Sequence, residues 1–151
     1  MTDLPTLTSL LERVEKASGP NLALEVDIAR ALGTAPADLS FVEETQSWQR
    51  YIVARDDVQI WMPPPYTASL DSALALVNEM LPGWFWRAGH VPSTHWVNGI
   101  AYHCWCHLSR THADHCERDD EATGWAHTVP TAMLSALLRA LIAQKETTDG
   151  K

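Results

Sequence analysis

All three cysteines of the chain and four of its seven histidines fall within "YHCWCHLSRTHADHC", residues 102–116. Thiolates and imidazoles are the ligands zinc prefers, so the chemistry this stretch would support is a metal centre. Its spacing argues against the simplest form of that idea. "IAYHCWCHLS" reads as a strand, and side chains on a strand alternate between faces. Tyr102, Cys104, Cys106 and Leu108 then share one side, and His103, Trp105 and His107 the other. At a rise of ~3.3 Å per residue Cys104 and Cys106 lie ~6.6 Å apart and His103 and His107 ~13 Å apart, whereas two sulfurs on one zinc sit within ~4.6 Å. The workable metal set takes one or two ligands from Cys104 and Cys106 and the rest from His112, His115 and Cys116, without the usual C-x₂₋₄-C spacing. The competing reading makes Cys104 and Cys106 small buried hydrophobes. It is the reading adopted: no cofactor is expected, with zinc as the alternative.

Two other stretches carry candidate ligand-binding residues. In "PPPYTASLD", residues 63–71, a helix N-terminus offers free backbone N–H groups, and Thr67 and Ser69 beside Tyr66 could hold a phosphate or carboxylate. Asp71 opposes this, and an ordinary Ser69 N-cap accounts for the same residues. In "WFWR" alternation puts Trp84 and Trp86 on one face and Phe85 and Arg87 on the other. One outcome is a tryptophan pair packed under a helix. The other is a stacking wall of Trp86 with Trp105 or Trp96, with Arg87 as the partner of an anion or base. No G-x-S-x-G, H-E-x-x-H, P-loop or deaminase signature occurs, and Cys116 lies among carboxylates that raise a thiol's pKa. No catalytic residue is assigned, and binding ranks above enzymatic activity.

The elements that must position these residues are legible as periodicities. Leu7, Leu10, Leu11 and Val14 make one face of a helix over residues 6–16. Leu24, Ile28 and Leu32 make a second, stopped by Gly33. "RYIVARDDVQIW" reads as a strand or a hairpin turning at Asp56-Asp57 and ended by the prolines at 63–65. Leu70, Ala73, Leu74, Val77 and Leu81 line a third helix, capped at Ser69 and closed by Pro82-Gly83. "WFWRAGHV" is a strand broken by "PSTHWVNG", and "RTHADHCERDDEATG" (110–124) is an exposed loop. A last helix begins near Pro130 with Met133, Leu134, Leu137, Leu138, Leu141 and Ile142 as its stripe, and the tail frays from about residue 146. The order predicts a single α+β domain over 1–151, an α/β/α-type sandwich on a mainly antiparallel sheet.

The chain carries 19 acidic and 11 basic residues, net charge −8, with seven tryptophans. Nucleic acid polymers are therefore not an expected partner, since their affinity comes from clustered Lys and Arg. No membrane span or signal peptide is expected, and three thiols make no disulfide framework, so the location expected is the cytoplasm.

Three segments carry a resemblance. "SGPNLALEVDIARALG" (18–33), "PPYTASLDSALALVNEMLPGWFWRAG" (64–89) and "TVPTAMLSALLRALIAQK" (128–145) resemble, in order and approximate spacing, the phage ABA sandwich domain family. The resemblance implies layered α and β elements and a phage-type protein, working in the host cytoplasm if phage-encoded, and brings no catalytic residues. Two departures stand out: Val129 precedes Pro130 where the family has Thr-Pro, which weakens the cap or leaves it to Thr128, and the Cys/His-rich strand and acidic segment lie outside the family pattern. The function expected is a non-catalytic accessory that sequesters a small host-derived, nucleotide-type signal. The alternatives are a protein-interaction or structural module acting on a host or phage protein or as a homo-oligomer, and a zinc- or thiol-dependent enzyme.

Overall fold

The computed structural model describes residues 2–35, 39–44, 49–53, 59–97, 100–110 and 121–149. In chain order they form helices α1 (Leu4–Lys16) and α2 (Leu22–Ala31), strands β1 (Leu39–Glu44), β2 (Gln49–Val53) and β3 (Gln59–Trp61), helix α3 (Leu70–Met80), strands β4 (Phe85–Val97), β5 (Ile100–Ser109) and β6 (Glu121–Ala126), and helix α4 (Val129–Asp149). The class is α+β. Strands β1-β2-β3 and β4-β5-β6 make two antiparallel sheets.

Each helix starts where a short polar side chain takes an orphan backbone donor. The Asp3 carboxylate accepts from the Thr6 amide at 2.9 Å, the Asn21 side chain from Leu24 at 3.0 Å, and the Ser69 hydroxyl from Ser72 at 3.2 Å. At α4 the cap falls to Thr128, whose hydroxyl accepts from the Thr131 amide at 3.3 Å. Gly33 (φ 78°) and Gly83 (φ 81°) take the left-handed conformation after α2 and α3, where a side chain would strain the backbone.

Helix α4 is the centre of the molecule. Every residue from Thr131 to Leu138 is buried, so its first half is enclosed rather than striped. The expected face of Met133, Leu134, Leu137 and Leu138 is buried, but so are Ala132, Ser135 and Ala136, while Leu141 and Ile142 are half-buried. Sheet β4-β5-β6 supports it on one side and α1 and α3 pack against it from elsewhere. A helix apolar nearly all round has no preferred outward face and fits only such a position. The sheet floor beneath it is made of small side chains: Ala88 on β4, Cys104 and Cys106 on β5, Ala122, Gly124 and Ala126 on β6. At Gly124 the approach is closest, since a Cβ there would lie 2.3 Å from the Ala136 backbone nitrogen. The helices gather on this one face of the sheet.

Four expectations are corrected. The loop assigned to 110–124 ends earlier, because Glu121–Ala126 is strand β6, paired along β5 from Ser109 to Cys104. The break at "PSTHWVNG" is an irregularity inside one long strand: β4 runs to Val97, with its register shifting between His90 and His95. A strand, β1, precedes the hairpin formed by β2 and β3, and the Asp56-Asp57 turn lies outside the described residues. Helix α4 continues to Asp149, through most of the tail expected to fray.

Candidate functional site

The turn at 65–69 recognises an anion, and that anion belongs to the protein. Glu25, in the first turn of α2, is buried, and its Oε2 accepts from the Thr67 amide at 3.0 Å and from the Thr67 hydroxyl at 2.6 Å. The same hydroxyl accepts from the Asn21 amide at 2.8 Å, and the Tyr66 hydroxyl meets Thr34 Oγ1 at 3.0 Å. Tyr66 and Thr67 are both buried, and Ser69 is occupied as the α3 cap. Sequence reasoning identified the chemistry of these donors. It could not see that Glu25, 42 residues away, would supply the carboxylate.

The cysteines also resolve into structure. Alternation along β5 holds: Tyr102, Cys104, Cys106 and Leu108 are buried, His103 is exposed, and Trp105 and His107 are half-buried. Both thiols are fully buried, and desolvation raises the pKa of Cys104 and pushes that of Cys106 up to about 12. Cys104 Sγ lies 3.4 Å from His90 Nδ1 and 3.7 Å from the His127 carbonyl. Among the described residues no three His, Cys, Asp or Glu side chains converge on a point that could hold a metal ion. His112, His115 and Cys116 lie outside the described residues.

The tryptophans divide among three environments. Trp84 is in the core, with the Arg110 guanidinium 5.5 Å from its ring centroid. Trp86, opposite Leu108, is on the helix-covered side at the margin of the sheet and 42% exposed. Trp105 is on the opposite, open side. Cross-strand register gathers there Phe85, Arg87 and Gly89 from β4, His103, Trp105 and His107 from β5, and Glu121, Thr123 and Trp125 from β6. Trp105 is directly opposite Gly89 and Trp125; its indole leans over Gly89, and Nε1 would lie 3.6 Å from a Cβ there. His107 Nδ1 meets Thr123 Oγ1 at 2.8 Å, and its Nε2 lies 3.6 Å from Glu121 Oε2. Arg87, opposite His107, is exposed and has no ion-pair partner among the described residues. Along the β4–β5 hairpin Trp96, opposite Ala101, is 68% exposed on the same side.

This face is the candidate site. It offers an indole platform beside the exposed Arg87 guanidinium and the His107 imidazole. The sequence placed Trp105 and Arg87 among the candidates, but Trp125, Thr123 and Glu121 were missed because the charged run before them masked a strand. The alternation of "EATGWA" was the available signal.

The protein is an α+β domain whose sheet β4-β5-β6 carries helices on one face and, on the other, the tryptophans Trp105 and Trp125 with Arg87, His107 and Glu121. Comparison with known protein families, characterised proteins and solved structures finds no match for the chain. None of its described helices is long and apolar enough to cross a membrane.

Proposed function

We propose that the protein is a non-catalytic binding module that captures a planar, anionic small molecule on the open face of sheet β4-β5-β6. The observation that carries the reading is the placement of Trp105 over Gly89, with Arg87 two residues away on the same face of β4. A half-buried indole held over a glycine presents a fixed stacking surface, and a guanidinium without an ion-pair partner among the described residues supplies the charge a phosphate requires. A nucleotide-type molecule fits both. The resemblance to phage ABA sandwich domains supports a phage setting, in which the ligand is a host-derived signal and binding removes it from circulation.

The assay is a thermal-shift and calorimetric screen against mono-, di- and cyclic nucleotides. A ligand at about 100 times its Kd stabilises by ~2.7 kcal/mol, which for a chain of this size raises Tm by about 5–10 °C. Trp105→Ala and Arg87→Glu should each remove the shift while leaving the ligand-free Tm within a few degrees. A second reading, an interaction module, is favoured by the exposed Phe85, Trp86, Trp96 and Ile100 along β4 and its hairpin. No shift with any nucleotide, together with a concentration-dependent mass in solution, would replace the first reading with the second.

A further inference from the structure

Register lays out the open face of sheet β4-β5-β6 in rows. Gly89, Trp105 and Trp125 make one row, and Arg87, His107 and Thr123 make the next. Two strand residues separate the rows, a distance of ~6.6 Å. Glu121 stands one row further from Trp105 along β6. Arg87 is the one arginine or lysine of this face among the described residues, and it is exposed without an ion-pair partner there. His107 Nδ1 and Thr123 Oγ1 share a hydrogen bond at 2.8 Å, and Glu121 Oε2 lies 3.6 Å from His107 Nε2. The backbone adds no donors, because β5 is bonded to β4 on one side and β6 on the other, and those bonds lie in the plane of the sheet. A helix N-terminus can hold phosphates on free N–H groups, whereas this face holds only what its side chains hold.

We infer that the site selects a phosphodiester monoanion of the cyclic-mononucleotide class over phosphate monoesters and polyphosphates, an assignment that rests on the open-face capture proposed above. The base stacks on the Trp105 indole, and the phosphodiester meets Arg87 one row away. One guanidinium neutralises one negative charge. A phosphate monoester at neutral pH carries about −1.5 to −2, and a di- or triphosphate carries more. No described cation on the face offsets that excess. It would instead meet the Glu121 carboxylate, one row beyond Arg87, and the field of a chain with net charge −8.

The test is calorimetric titration of the full chain, at constant ionic strength, with the 3′,5′-cyclic monophosphates of adenosine, guanosine, cytidine and uridine, each beside its 5′-mono-, di- and triphosphate. For the base that binds best, the cyclic ester should bind at least tenfold more tightly than the 5′-monophosphate at pH 7.5, with the di- and triphosphates no tighter than the monophosphate. That preference should shrink at least threefold at pH 5.5, because the monoester takes up a proton near pH ~6 and becomes a monoanion, while the cyclic ester does not titrate. Titration of His103, His107 and Glu121 acts on both ligands, so the ratio of affinities isolates the ligand's own charge. Glu121→Gln, at an unchanged Tm, should narrow the preference at pH 7.5 at least twofold by improving the monophosphate. Affinity that rises with phosphate number, a ratio near one at pH 7.5, or a preference unmoved by pH or by Glu121→Gln would overturn the inference and leave nucleotide capture standing. Absence of binding by every nucleotide would overturn that capture and the inference with it.

Discussion

Replacing Gly124 by alanine should be the most damaging single-methyl change in the chain. An ideal Cβ at this position lies 2.3 Å from the Ala136 nitrogen, 2.6 Å from Ser135 Oγ and 2.7 Å from the Ala132 carbonyl oxygen. Ordinary contact begins near 3.4 Å, so α4 must retreat from β6 by about 1 Å. Two of the three clashing atoms are backbone, which no rotamer change can move. The retreat would loosen a helix whose residues 131–138 are all buried. Overpacking costs ~1–3 kcal/mol and occasionally more, while alanine returns ~0.4–1 kcal/mol by restricting the unfolded chain. With a rigid obstacle the net loss should fall at the upper end of that difference, about 1–3 kcal/mol, which at a urea m-value of ~2 kcal/mol/M lowers the midpoint by about 0.5–1.5 M. Urea unfolding followed by tryptophan fluorescence measures this directly. Gly89→Ala is the matched control, since its Cβ would meet nothing closer than 3.6 Å. A Gly124→Ala midpoint within about 0.3 M of the parent at an unchanged m-value would refute the close packing of α4 on β6.

Glu25→Ala should cost about 2–4 kcal/mol, because it leaves the buried Thr67 amide and hydroxyl without their acceptor; Tm would fall by about 5–15 °C, and a loss below 1 kcal/mol would mean water replaces the carboxylate. Cys106 predicts a pH dependence of definite sign. Its folded pKa, about 12, exceeds the ordinary 9.0, so above pH 9 the unfolded chain loses a proton that the folded chain keeps. Stability should fall as pH rises from about 9 to 12, this one thiol contributing a slope of about 1.4 kcal/mol per pH unit. Cys106→Ala should flatten the difference between urea midpoints at pH 8 and pH 10.5, and an unchanged slope would assign the effect to Cys104, Tyr66 and Tyr102, whose pKa values are also raised by burial. In the native state at pH 8 neither Cys104 nor Cys106 should react with a disulfide reagent until urea exposes it.

The helices were legible because each is written locally. Cap, apolar spacing and stop lie within about fifteen residues of one another, as Ser69, Ala73, Val77 and Gly83 illustrate. β6 was not, because Glu121 and Thr123 follow a run of charges and the strand is a strand only by pairing with β5. The β4–β5 connection left a trace that went unused: Val97 pairs with Ile100, and the two intervening residues are Asn98-Gly99, the strongest short hairpin signal a sequence carries. Of the candidate site, Trp105 and Arg87 were named from their chemistry, while the register that sets them on one face is a property of two strands.

By itself the sequence determined the α+β order of elements, the helix boundaries to within a few residues, and the division of Cys104 and Cys106 from His103 and His107. All of these depend on contacts or periodicities within one segment. Only the tertiary structure decided that Glu25 fills the anion site at Thr67, that α4 is enclosed rather than striped, and that Trp105, Arg87 and Trp125 share a surface. Those outcomes join residues tens of positions apart, and nothing local to either partner encodes the distance between them.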